Sequence, residues 1–267
     1  MKIRIIPLLL TLLATQAVAH EVWIEPQNYQ VEKGAQIAAS LKNGEGFAGI
    51  ELGWFSGQIA LFDVIARGTR RAIAGRPGDL PAIQGLKTRP GLVVLVHQSK
   101  PKTVTYETWE KFQKFIDHKD FGDVRRAHVA RGLPEKPLRE VYTRFAKSLL
   151  AVGHGKGADA ETGLETEIIA LANPYRGSRT EMPVRVLYKG APRVDAQIEL
   201  FDRGPDGSVT ITYHRTNAVG EAVLPIQPGH EYLVDAVVLR EPSPELATHY
   251  TAQWETLWAS LTFAVPE

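Results

Sequence analysis

Met182-Pro183-Val184-Arg185-Val186-Leu187-Tyr188-Lys189-Gly190 sets an alternating apolar and polar beat, and the residues after it keep the rhythm. Ile198 and Leu200, then Val209, Ile211 and Tyr213, then Ala222, Leu224 and Ile226 recur two apart. Successive strand side chains point to opposite faces, so a period of two describes half-buried strands with one face on a core. Turns are written at Lys189-Gly190, Pro205-Asp206-Gly207, Asn217-Ala218-Val219-Gly220 and Gln227-Pro228-Gly229. Their spacing, roughly 10 residues, is that of a small antiparallel β-sandwich. Leu261, Phe263 and Val265 supply one face of a closing strand from Trp258 to Val265.

Towards the N-terminus, short apolar runs at Val22-Trp23-Ile24 and at residues 36–41, 59–64 and 91–96 alternate with glycine, asparagine and proline clusters. They read as a second strand-rich region. Between the two, the period changes. Trp109, Phe112, Phe115 and Ile116 fall on one face of a helix, with Thr105 as a cap and Glu107 near the positive end of its dipole. Leu138, Val141, Phe145 and Leu149 predict a second helix, with Pro137 in its first turn and Gly153 ending it. Residues 153–163 carry four glycines and read as an exposed loop without a core. Residues 165–171 read as a strand leading into the turn Asn173-Pro174-Tyr175.

The expected fold is therefore mostly β, with two immunoglobulin-like β-sandwich domains and a two-helix insert between them. The N-terminal domain spans residues 20–163 and holds the insert at about 105–152; the C-terminal sandwich spans 164–267. Residues 1–19 read as a signal peptide: Lys2 and Arg4, an apolar stretch from Ile5 to Ala14, and small Ala17 and Ala19 before the cut. That stretch is shorter than the roughly 20 residues a membrane span needs. Cleavage leaves a soluble periplasmic protein beginning at His20, with no membrane span.

Composition narrows the chemistry. Hydrophobic content of 44% and charged content of 23% are those of a globular protein. A net charge of +1 gives no general attraction to nucleic acid. With no cysteine, the chain has neither disulfides nor thiolate ligands, and its two methionines, one of them Met1, exclude a methionine-rich copper carrier. A metal site here must use nitrogen and oxygen, which suits nickel, cobalt, zinc or oxidised copper.

A processed His20 offers a two-nitrogen bite, its α-amine and one ring nitrogen. The amine titrates near ~8, low enough for a metal to displace its proton near neutral pH. Further ligands must come from elsewhere. His97 ends the apolar run 92–96 and is the first candidate, and His249 in Ala247-Thr248-His249-Tyr250 is the second. His118, His128, His154, His214 and His230 read as surface histidines, and no His-x-x-x-His or His-x-His pair exists. Arg144 and Lys147, three apart with Tyr142 nearby, suit a carboxylate or phosphate, or else surface ion pairs. Trp254 and Trp258 read as core. There is no Gly-x-Ser-x-Gly elbow, phosphate-binding loop or dinucleotide fingerprint, so a binding role ranks ahead of an enzyme.

Four stretches together carry a family resemblance: residues 20–26 (HEVWIEP), 142–149 (YTRFAKSL), Asn173-Pro174-Tyr175, and 254–263 (WETLWASLTF). They resemble the DUF4198 family of exported bacterial proteins, some of which are associated with nickel or cobalt uptake. Residues 184–237 also resemble sandwiches of the carboxypeptidase-regulatory or Cna-B type. The resemblance implies periplasmic binding of a divalent metal, nickel or cobalt first, in partnership with a metal-uptake transporter or outer-membrane receptor. Two other classes stay open: a copper histidine-brace redox enzyme, and a metal-free envelope adaptor for an outer-membrane receptor or carbohydrate.

Overall fold

A computed structural model describes residues 20–267, so the signal-peptide reading of residues 1–19 lies outside the described residues. In the first half the strands are β1 (Glu21–Pro26), β2 (Gln30–Val31), β3 (Ile37–Glu45), β4 (Ala48–Leu52), β5 (Ile59–Ala66), β6 (Thr69–Ala72), β7 (Ile83–Leu86), β8 (Gly91–Ser99) and β9 (Lys102–Tyr106). Two helices follow, α1 (Trp109–His118) and α2 (Val124–Ala130), then β10 (Leu138–Val152) and β11 (Thr166–Ala170). The remainder is β12 (Glu181–Tyr188), β13 (Ala191–Pro192), β14 (Gln197–Arg203), β15 (Val209–Arg215), β16 (Glu221–Pro225), β17 (Glu231–Arg240), α3 (Pro244–Tyr250) and β18 (Trp254–Ala264).

The molecule is mostly β, as expected, and its strands are arranged in layers. A ten-stranded sheet runs β15-β14-β17-β18-β10-β8-β5-β6, with β2 and β9 also bonded to β10. Val93, Leu95, Ala146 and Leu150 on one face of this sheet pack against Ile24, Ile37, Ala39 and Leu41 of the sheet formed by β1, β3, β4 and β7. Val94, Val96, Phe145 and Leu149 on the other face pack against Ile168, Val184, Val186 and Leu224 of the sheet formed by β11, β12, β13 and β16. The central strands are thus covered on both sides.

That double cover explains the main departure from expectation. Residues 138–152, expected as a second helix, form the long central strand β10. A strand buried on both faces loses its alternation, and its apolar residues then fall by chance at helical spacings. Tertiary pairing decides the conformation: β10 runs parallel to β18 from Glu140↔Trp254 to Ser148↔Thr262 and antiparallel to β8 and β9. The first helix is where it was expected, with Trp109, Phe112, Phe115 and Ile116 buried. Its cap is Thr108, whose side chain accepts from the Lys111 amide, whereas Thr105 lies within β9. The second helix of the insert is α2, capped by Asp123.

Two further expectations need detail. The loop at 153–163 is irregular and mostly exposed, as expected, but buried Gly155, Asp159 and Thr162 anchor it: Asp159 accepts from the Ala170 amide at 2.9 Å, and Asn173 Nδ2 donates to the carbonyls of Gly155 and Gly157 at 2.8 and 2.9 Å. Glycine permits that closeness, because a Cβ on Gly157 would lie 3.1 Å from Leu92 Cβ at a φ of +143°. On β15, Ile211 and Tyr213 are exposed although their alternation matches the buried strands, because β15 is the outermost strand of its sheet. The expected division after residue 163 is bridged by hydrogen bonds, since β10 before it pairs with β18 after it.

Candidate functional site

His20 stands immediately before β1, which is tied down along its length. Ser260 Oγ donates to the Val22 carbonyl at 2.7 Å and Thr262 Oγ1 to the Ile24 carbonyl at 2.6 Å. Glu21 is buried, with its carboxylate 3.3 Å from Lys119 Nζ. The same ammonium lies 2.7 Å from Glu199 and 3.1 Å from Asp235, and sits 4.7 Å over the Trp258 ring. Three carboxylates around one ammonium leave an excess of negative charge away from water. Burial and the neighbouring carboxylates push Asp235 up to about 7, and the same carboxylates hold Lys119 above its ordinary range despite its burial. His118, half-exposed, is raised by its hydrogen bond to Glu199. The first residue of β1 is therefore clamped by a charge cluster. His20 beside it is half-buried, and its Nδ1 is enclosed without a hydrogen-bond partner.

A pocket of about 120 Å³ opens at the same end of the interface between the β1 sheet and the central sheet. Val22, Leu41 and Leu52 form its apolar wall, His97, Ser99 and Arg144 come from the central sheet, and Gln58 and Lys102 stand at its rim. Carrying the contacts of Val22 with Ser260 and Ile24 with Thr262 two residues back sets His20 level with Trp258, and Trp258 pairs with Arg144 in the sheet.

Arg144 is 5% exposed, and its charge is insulated by aromatic rings. Its guanidinium carbon lies 3.8 Å from the Trp258 ring centre and 4.9 Å from that of Tyr142. Among the described residues no carboxylate comes within 4.0 Å of it, and its Nε and Nη1 have no hydrogen-bond partner. Burial lowers its pKa from the ordinary arginine value. His97 is 2% exposed and packed against Phe62, with ring centres 4.9 Å apart. Burial pushes its pKa down to about 3, so the ring is neutral at physiological pH, and its Nδ1 is also unpartnered. Lys102 Nζ donates to Gln58 Oε1 at 2.8 Å.

The residues singled out from sequence have separate fates. His97 lines the pocket, His20 stands before β1 and is not among the lining residues, and His249 is exposed in the last turn of α3 against Tyr250. Among the described residues no group of three His, Asp or Glu side chains could hold a metal, and the three carboxylates that do gather are taken up by Lys119. Arg144 and Lys147 lie on a strand rather than a helix, so their spacing of three sends them to opposite faces. His128, expected at the surface, is buried: its Nδ1 accepts from Trp254 Nε1 at 3.1 Å and its Nε2 lies 3.2 Å from the Pro134 carbonyl. Trp254 and Trp258 are core residues, as expected. Gln58, Ser99 and Lys102 carry no motif, and only the layer packing brings them to Arg144.

No curated protein matches the chain in sequence. Among solved structures, the tetra-tandem repeat in the extending region of a large adhesion protein aligns with 92% of this chain at 8% identity, with a TM-score of 0.20. This chain covers 49% of that one, about half its length, and so low a score supports no inference about fold or function. The family described as a domain of unknown function, DUF4198, matches residues 17–240, a span that includes β1, the pocket and β10 and stops before β18. The chain belongs to the DUF4198 family.

Proposed function

We propose that the mature protein begins at His20 and binds a divalent transition metal there, nickel or cobalt first, as part of metal uptake or handling in the periplasm. The observation that carries this reading is the enclosed, unpartnered Nδ1 of His20. Of the two ring nitrogens, Nδ1 is the one that closes a six-membered chelate with the residue's own α-amine. The Glu21–Lys119 contact and the pairing of β1 with β3 supply rigidity, so the chelating residue is not part of a fraying end. Nitrogen donors suit nickel, cobalt, zinc and oxidised copper. Two protein ligands leave the other positions to water or a small chelator, which favours a carrier that hands its metal to a transporter or outer-membrane receptor.

Calorimetric titration with nickel, cobalt, zinc and copper tests this on three proteins: one starting at His20, its His20→Ala variant, and one with a single extra residue before His20. The first should bind at least about tenfold more tightly than the others, roughly 1.4 kcal/mol. Equal affinity in all three contradicts a role for the terminus. Reductant-driven oxygen consumption in the copper-loaded form would identify a redox enzyme instead of a carrier.

A further inference from the structure

We infer that the pocket between the β1 sheet and the central sheet is a binding site for a short-chain carboxylate, with Arg144 as its anchor. The inference stands on the pocket alone and is independent of any metal at His20. A cation taken out of water costs several kcal/mol unless its donors find acceptors. Stacking on Trp258 and Tyr142 recovers part of this, about 2 kcal/mol for a desolvated cation over an aromatic ring. Arg144 nevertheless keeps Nε and Nη1 without partners. The chain provides no carboxylate for it within 4.0 Å among the described residues, so a buried guanidinium with idle donors lines an open space.

The remaining lining selects the ligand. A guanidinium matches a carboxylate by paired, charge-assisted hydrogen bonds. Lys102 at the rim adds a second positive charge, while His97 contributes a neutral, polar surface. On the opposite wall Val22, Leu41 and Leu52 form an aliphatic patch, with Asn43 as the polar side chain beside it. One end of the occupant is therefore anionic and the other apolar. Inorganic phosphate, polar all round, would leave oxygens against that aliphatic wall without hydrogen bonds, at a cost of a few kcal/mol. The volume, about 120 Å³, suits an acid of a few carbons.

Titration of the protein beginning at His20 with butyrate, butyramide and inorganic phosphate, followed by calorimetry and by the fluorescence of the tryptophan under Arg144, tests the assignment. Butyrate should saturate below about 10 mM, within the range open to so small a ligand. Butyramide, the same shape without charge, and phosphate should not saturate. Arg144→Gln should weaken butyrate about 100-fold, the scale of a lost charged hydrogen bond. Arg144→Lys, which keeps charge and loses the fork, should weaken it about tenfold. Lys102→Gln, at the rim, should cost about threefold. Equal binding of butyrate and butyramide, a preference for phosphate, or an unchanged affinity in Arg144→Gln overturns the proposal. Should the Arg144 variants not fold, the comparison of butyrate with butyramide on the unsubstituted protein decides, as does Lys102→Gln, whose side chain is half-exposed.

Discussion

Lys147 and Arg144 lie three residues apart on the same strand, both buried, and their surroundings differ completely. Lys147 faces the β11 side, where its Nζ lies 2.9 Å from Asp159 and 3.5 Å from Glu167 and donates to the Ala160 carbonyl at 3.2 Å. Glu167 in turn accepts from the amides of Thr162 and Gly163, so this network pins the glycine-rich segment onto the sheet. Arg144 faces the β1 side, rests on two aromatic rings and has no such carboxylate. A buried charge whose donors are all used is architecture; one whose donors are idle, beside a cavity, is a place for something else to bind. His20 Nδ1 is likewise enclosed without a partner, although His20 does not line that pocket.

The sharpest way to break this comparison is to remove each cation and measure unfolding in denaturant. Lys147→Met should lose about 3–5 kcal/mol, because Asp159 and Glu167 would be left buried without their cation. Arg144→Met should change stability by less than about 1 kcal/mol, since no buried partner is orphaned and a desolvation cost is relieved. Equal losses would erase the distinction.

Acidity separates the two faces next. His97 is held neutral down to about pH 3, so an unfolded chain takes a proton there that the folded chain refuses. Its contribution to stability is full above the ordinary imidazole pKa, about 6.5, and declines by about 1.4 kcal/mol per pH unit below it until about pH 3. The difference in unfolding free energy between the natural chain and His97→Gln, measured from pH 7 to pH 4, should follow that slope. A difference independent of pH would show that the ring is solvated and the pocket face open to water.

Asp235 has the opposite sign. Its carboxyl is raised to about 7, so the folded chain keeps a proton that the unfolded chain releases above about pH 4. Its contribution falls as pH rises from about 4 to about 7, then levels. The stability difference between the natural chain and Asp235→Asn should drift across that window, and a flat difference would mean that Lys119 fully compensates all three carboxylates. The smallest effect belongs to His118, half-exposed beside Glu199. Its raised pKa gives stability that is present below the ordinary imidazole value and is lost as pH climbs through the folded value, by under about 1 kcal/mol for so exposed a pair. His118→Gln, measured at pH 6 and pH 8.5, should narrow that difference.

Much of the fold was legible because one-sided burial writes a period into the sequence. β12 and β16 show it, with Val184, Val186, Ala222 and Leu224 turned to the core. The face of α1 showed itself in the same way through Phe112 and Ile116. β10 was illegible for the converse reason, since cover on both faces erased alternation and left helical spacings by coincidence. The exposed character of the glycine-rich loop was legible from its composition, but its anchors were not, because their partners, Lys147 and Asn173, lie outside it. At the site, Arg144 stood out by its chemistry, but its direction depended on knowing that it sits in a strand. His97 stood out as the end of an apolar run, whereas Gln58 and Lys102 had no local signal at all.

The direct test of the proposed metal site is ¹⁵N NMR of the histidine rings during zinc titration of the protein that begins at His20. The account predicts that His20 Nδ1 shifts strongly, that His249 stays unchanged, and that one extra residue before His20 abolishes the shift by removing the chelating amine. A shift of the same size in the extended protein, or one centred on another histidine, would contradict it.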